Sequence, residues 1–386
     1  MSAALPQASG MGVVWRLGAA TTLAVLGFAM TAPVLAVSLQ QAGHGTAAVG
    51  AFAMAQFLTI GLLIPLMPRL LARWGVLRAY QAGSVLVLAA VSSYAFTQGL
   101  WAWTVAALLS GAGTAALWNG TEALLAREAP AAQRGKVMGL YQTSLGAALA
   151  LGPFAPGVLG WGARPILMLG AFLTLLCCVI AFTISRKALH EGRPGTQSGI
   201  VRALRAVPGL AALAFTGGVF EAGLSAVSAA YASGTGMGLS AAASVAGAIG
   251  VGSFLCQYPA GMAADRFRPK AVFGAATALL LAASLAFALA ARAPWLLWGV
   301  GVVWGGVGGA LYTLTMVRVA HEFEGQATAG GAAAMITGYT LGGMVGPPAS
   351  GAALQWGGPL GLAAGLSALA AFALAISLRQ RATARA

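Results

Sequence analysis

The sequence predicts an all-α integral membrane protein of twelve transmembrane helices in two pseudo-symmetric six-helix bundles, and three observations predict it. Charged residues make up 7% of the 386 and apolar residues 59%, where a soluble domain carries about 25% charge. That is too little charge to clothe a soluble surface. Twelve apolar stretches are long enough to cross a hydrocarbon layer of ~30 Å, which takes about 20 residues each. Features of the first six stretches also recur in the last six at a nearly constant spacing.

The stretches run 17–38, 47–67, 79–97, 101–126, 137–160 and 165–185, then 209–232, 241–263, 271–290, 295–317, 328–352 and 359–378, with mean hydropathy +0.85 over the chain. The first resembles a signal peptide at Val34-Leu35-Ala36-Val37-Ser38. Its apolar run is longer than a signal core, and its removal would leave an odd number of spans, so it reads as helix 1. A polar segment, 186–208, divides the sets. The expected organisation is a bundle over 1–185, a linker over 186–208 and a second bundle over 209–386.

The net charge of +14 would fit nucleic-acid binding in a soluble chain. Its placement argues otherwise. With the N-terminus inside, 19 of the 21 Lys and Arg fall in inner segments and only Arg164 and Arg292 in outer loops. That is a positive-inside signature, with both termini cytoplasmic, and it needs no nucleic acid. Cys177, Cys178 and Cys256 have no disulfide or metal spacing and read as small buried residues.

The halves are copies. Pro68-Arg69-Leu70-Leu71-Ala72-Arg73-Trp74-Gly75, with Arg78 beyond, answers Gly261-Met262-Ala263-Ala264-Asp265-Arg266-Phe267-Arg268-Pro269-Lys270 at offset 193. Gly152-Pro153 answers Gly346-Pro347 at offset 194, and Arg134-Gly135 answers Glu324-Gly325 at 190. Parallel six-helix repeats joined by a basic loop are a transporter plan with its site near the midplane.

On these residues the chain resembles the major facilitator superfamily over nearly its whole length. The G-x-x-x-D-R loop of that family stands complete at Gly261, Asp265 and Arg266. In the first half Pro68 and Ala72 replace its Gly and Asp. Gly75-Val76-Leu77-Arg78-Ala79-Tyr80, Glu122 ahead of Arg134-Gly135 and Tyr141, and Gln257-Tyr258-Pro259-Ala260-Gly261 resemble the bacterial YcaD-like branch. The resemblance implies a secondary transporter of the bacterial inner membrane, working by alternating access as a monomer without a cofactor. The Gly-Pro element in helix 5 is similar to that of drug–proton antiporters and favours efflux; proton-coupled uptake is the alternative.

Seven acids exist. Glu221 lies about twelve residues into helix 7, about 18 Å along its axis and near the bilayer centre. A carboxylate at that depth costs about 3 kcal/mol or more unless it is protonated, paired or facing water. No basic residue shares the depth, so Glu221 is expected to bind the coupling proton or a cationic substrate. A structural, permanently protonated carboxyl is the competing reading. For Glu128 and Glu191, solvation in a loop suffices. By resemblance, Glu122 is expected to pair with Arg73 and Arg134, and Asp265 and Arg266 with Glu322 or Glu324. These clusters, with Arg78 and Gly261, would gate the inner side.

Gln56, Trp118, Asn119, Tyr141, Gln142, Trp304, Tyr312 and Tyr339 lie at membrane depth on helices 2, 4, 5, 10 and 11. With Glu221 they are the expected substrate-binding set, aromatic and mostly uncharged, for an apolar or cationic small molecule. Singly, each could equally pack one helix on another. An enzyme is excluded by the lack of a nucleophile–base pair or metal motif: His44, His190 and His321 are far apart, and the fourth residue after His321 is Gly325. A channel would need a continuous polar stripe, which is missing. A receptor would add a soluble domain, where the longest loop is some twenty residues.

Overall fold

The computed structural model describes residues 8–130, 133–184, 204–290, 292–323 and 326–379, and every element in them is helical. The spans are α1 (Ala8–Gln41), α2 (Thr46–Trp74), α3 (Val76–Phe96), α4 (Leu100–Glu128), α5 (134–159), α6 (Ala163–Phe182), α7 (208–234), α8 (Leu239–Arg266), α9 (Pro269–Phe287), α10 (Leu296–Glu322), α11 (326–357) and α12 (359–379). Among the described residues, nine helices are long and apolar enough to cross a membrane, and ten when α7, bent by 41°, is counted as one.

Two further spans follow from chain geometry. The helix Gly330–Arg379 holds 50 residues, about 75 Å at 1.5 Å per residue, more than twice the hydrocarbon thickness. It breaks at Gly358, whose φ of 61° a side chain would resist, and so becomes α11 and α12. α5 begins on Arg134 and Lys136, which lower its apolarity, and a 3₁₀ turn at Gly152–Phe154 divides it where Pro153 removes a backbone donor. The helices run a turn or two beyond the sequence boundaries: α1 starts at Ala8 and α2 continues to Trp74.

The packing order repeats. In the first half α4 lies against α2 and α3, and α6 against α1 and α3; in the second, α10 lies against α8 and α9, and α12 against α9. α1 packs on α5 as α7 packs on α11. Across the halves, α2 meets α11, α5 meets α8, and α1 meets α7. Exposed Phe96, Trp101, Trp161, Trp295 and Trp356 gather at the end opposite the basic loops, where amphipathic rings fit a membrane interface.

The halves touch closely at that aromatic end and part toward the basic end. Between α2 and α11 there is no room for a Cβ at Gly351, against the Thr46 carbonyl, or at Gly50, against the Pro347 carbonyl. Further along, a Cβ at Gly343 would lie 3.1 Å from Phe57, and one at Gly61 3.6 Å from Thr340. Between α5 and α8 the corresponding approaches are 2.8 Å at Gly250 and 3.0 Å at Gly146. Gly135, Gly139 and Gly261 then have nothing within 4 Å. The buried core reflects this shape. One apolar cluster joins both halves, while the basic end of the first half has its own cluster around Leu17, Tyr80, Leu124 and Ile184. A cleft therefore opens at the basic end and closes near mid-depth.

Candidate functional site

Glu221 sits at the closed apex of the cleft, in a break of α7. The α-helix Pro208–Gly218 passes into a π-helical turn, Val219–Gly223, before Ser225–Gly234 continues the span. A π-turn inserts a residue, leaves backbone groups displaced from the regular ladder and is common at functional sites. It is accommodated because small residues surround it: Gly217 fits against the Gly308 carbonyl, Gly218 against the Tyr339 carbonyl, and Gly223 against Gly346.

The carboxyl turns toward α8 and α11. Ser253 Oγ donates to Glu221 Oε1, and Gln257 Nε2 donates to Ser253 Oγ at 3.0 Å. The Tyr339 hydroxyl bonds the same carboxyl. A Cβ at Gly309 would lie 2.7 Å from Ser253 Oγ and 3.4 Å from the Glu221 carboxyl, so α10 leaves the slot that the pair fills. The Tyr312 and Tyr339 rings pack at 4.9 Å and 53°. Tyr312 lies within electrostatic reach of Glu221 on one side and of Glu122 on the other. Glu122, on α4, is exposed to the cleft and bonds Gln142 of α5. The apex is thus lined by two carboxyls, two tyrosines and two amides drawn from α4, α5, α7, α8, α10 and α11. Solvated from the open end, such a lining can bind protons, or a solute bearing positive charge and N–H donors.

The expected binding residues divide on placement. Glu221, Tyr312, Tyr339 and Gln142 come together as described. Trp304 does not: it is buried between Phe220 and Phe287, with ring centroids 6.2 and 5.2 Å away, inside the second half. The physical reason is its helix face, which points from α10 toward α7 and α9. Tyr141 is likewise buried in the first-half core beside Trp118 and Thr121. Asn119 bonds the Ala115 carbonyl of its own helix at 2.8 Å. Gln56 is half-buried, and its backbone packs against Gly111.

Among the described residues, the expected loop clusters are not assembled. Glu122 takes Gln142, and among the described residues it forms no ion pair with Arg73; the Arg134 side chain and Glu324 lie outside the described residues. Arg73, Arg78, Asp265 and Arg266 are exposed at the open end. Glu322 pairs with Arg318 on its own helix at 2.8 Å. Glu128 corrects its expected solvation: it is buried at the end of α4 and pairs with Arg127 at 3.1 Å. Sequence reasoning missed Ser253 and Gly309. The available signal was Ser253 four residues before Gln257, a polar pair on one helical face.

Comparison with known proteins agrees with this fold. The profile of the Major Facilitator Superfamily matches residues 17–256 and 210–386. The uncharacterized MFS-type transporter YfkF of Bacillus subtilis (strain 168) is 24% identical over 335 residues, covering 84% of each chain. The crystal structure of a bacterial homolog to the human lysosomal transporter Spinster, inward-facing and unoccupied, is similar with TM-score 0.72 and 14% identity over 97% of both chains. The nucleoside transporter NupG is similar with TM-score 0.73 and 11% identity over 95% of this chain and 97% of that one. At these identities the two structures establish the fold alone.

Proposed function

The chain belongs to the major facilitator superfamily of secondary transporters, and on that premise we propose that it exports a small apolar or cationic molecule in exchange for protons. The observation that carries the reading is the Glu221 carboxyl, held by Ser253 and Tyr339 at the apex of a cleft open at one end. A carboxyl there can hold a proton or a cation but not both, which is the elementary requirement for exchange. Efflux is favoured by the Gly152-Pro153 turn of α5, which seats Gly152 on Ala29 of α1 with no space for a Cβ. We place the protein in the bacterial plasma membrane with both termini and the basic loops cytoplasmic. The cleft then faces the cytosol.

In the same proposal the moving bodies are residues 1–185 and 209–386, joined by the segment 186–208, most of which lies outside the described residues. A single chain is the transport unit. Closing the basic end would bring Gly261, Asp265 and Arg266 of α8 toward the first half, and Arg73, Arg78 and Arg134 toward the second. Charge-assisted bonds formed there would hold the closed state and break on opening. The YcaD-like branch is proposed on Gly75–Tyr80, on Glu122 ahead of Arg134-Gly135 and Tyr141, and on Gln257–Gly261.

Purified protein screened for ligands by shift of melting temperature, then reconstituted into proteoliposomes with the hit, tests the function. An imposed proton gradient should drive the solute in the direction opposite to proton flow. Movement in the same direction would establish symport instead, and gradient-driven transport undiminished in Glu221→Gln would remove the carboxyl from the mechanism.

A further inference from the structure

The bonds of Gln257 and Ser253 have a direction, and that direction can follow whether Glu221 carries a proton. Ser253 has one O–H to give. Because Gln257 Nε2 donates to its oxygen, the Ser253 hydrogen is directed at Glu221 Oε1. An ionised carboxylate only accepts, so this arrangement suits the charged form. A protonated Glu221 presents an O–H toward Ser253. The chain can then run the other way: Glu221 O–H to Ser253 Oγ, and Ser253 O–H to the carbonyl oxygen of Gln257. That requires only a half-turn of the Gln257 amide.

The outer side of that amide faces the cleft. Ser253 is buried while Gln257, one turn nearer the basic end on the same face of α8, is exposed. Gly261, a further turn on, has nothing within 4 Å. The neighbouring positions Gly250 and Phe254 pack against α5, so this side of α8 is the one turned to the first half.

We propose that Gln257 reports the protonation of Glu221 to the cleft through Ser253, offering a carbonyl oxygen when the carboxyl is charged and an N–H₂ group when it is neutral. The inference deepens the exchange reading above and rests on it. It names the solute class: a molecule with N–H donors, such as an ammonium or amidinium compound, which Gln257 Oε1 accepts from while Glu221 is ionised. Arrival of a proton at Glu221 withdraws that acceptor and replaces it with donors, so the same solute meets a mismatched group at the moment its counter-charge is lost. The other titratable groups around Glu221 are Tyr339 of α11, Tyr312 of α10 with Glu122 of α4 beyond it, and Cys256 of α8, which lies against Gly306. None of them bridges Glu221 to the cleft as Ser253 and Gln257 do. Gln257 is on this account a positioning and specificity-determining residue.

Infrared difference spectroscopy of the full-length protein in liposomes, stepped in pH without any added solute, tests the relay. The carbonyl stretch of a protonated carboxyl that disappears in Glu221→Gln reports Glu221. The primary-amide carbonyl band that disappears in Gln257→Leu reports Gln257. The expected result is a shift of the amide band with the same pH midpoint as the carboxyl band, lost in Ser253→Ala while the carboxyl band still titrates. An amide band that stays fixed while Glu221 titrates overturns the relay and leaves the role of Glu221 standing, as does an amide shift that persists unchanged in Ser253→Ala. A spectrum with no titrating carboxyl at Glu221 overturns both the relay and the exchange reading.

Discussion

The first spans of the two halves, α1 and α7, occupy equivalent places and have been put to different uses. α1 runs from Ala8 to Gln41 as one helix, even across Pro33, and buries Thr21 and Thr31. Thr21 bonds Thr121 at 2.8 Å and reaches the Tyr80 hydroxyl at 3.4 Å, all within the buried core of the first half. α7 is interrupted by a π-turn and brings a carboxyl to the cleft. At the offset that relates the halves, Glu221 answers Phe28. The first half buries the polar groups of its first span, while in the proposed exchange the proton-binding carboxyl comes from the first span of the second half.

That comparison can be broken most decisively at the two carboxyls. Glu221→Gln should reduce proton-coupled transport by at least about tenfold, or about 1.4 kcal/mol of coupling. Glu122→Gln, which replaces the carboxyl–amide contact with Gln142 by an amide–amide one, should change apparent affinity more than proton dependence. Parallel transport assays at several pH values check both. Equal losses of pH dependence would assign the proton to the pair.

Trp304 and Tyr312 sharpen it within the second half, since both are aromatic residues of α10 and only one faces the cleft. Trp304→Ala should cost about 3–5 kcal/mol of stability through the cavity left between Phe220 and Phe287. Tyr312→Phe should leave the melting temperature nearly unchanged and alter ligand-induced shifts. Thermal unfolding with and without a bound hit separates the two.

The closed and open ends of the interface supply a third test. Gly50→Leu should destabilise this conformation by about 1–3 kcal/mol, because the new side chain meets the Pro347 backbone. A Cβ at Gly139 meets nothing within 4 Å, so Gly139→Leu should leave it intact. A smaller effect is expected at Glu322→Gln, about 1 kcal/mol, since Glu322 is partly exposed and pairs within one helix while its partner Arg318 is buried.

Much of this fold was legible because its determinants are one-dimensional. Apolar run length, the siting of Arg and Lys, and the Gly-Pro pairs at a constant offset need no knowledge of which face a helix presents. Glu221 was legible for the same reason, as any carboxyl deep in an apolar run stands out. Facing was not legible. Trp304 and Tyr312 differ by eight residues on one helix, and residue type alone does not distinguish core from cleft. Ser253 is chemically ordinary until Gly309 makes room for it beside Glu221. The π-turn leaves no mark in composition, since a single inserted residue shifts the helix register without changing its character. The basic-end clusters were unreadable for another reason: a motif gives residue types, while the partner a charge takes, as Glu322 takes Arg318 on its own helix, is set by the packed structure.

Distances within the α5–α8 pair at both ends test the central claim most directly. Spin labels at Lys136 and Met262 would report the basic end, and labels at Val158 and Ser240 the aromatic end, in protein lacking its three native cysteines. Acidification should shorten the first distance and lengthen the second together, and in Glu221→Gln both should be fixed at all pH values. Distances that ignore pH in the parent protein, or that still respond in Glu221→Gln, would contradict the proton exchange proposed at this carboxyl.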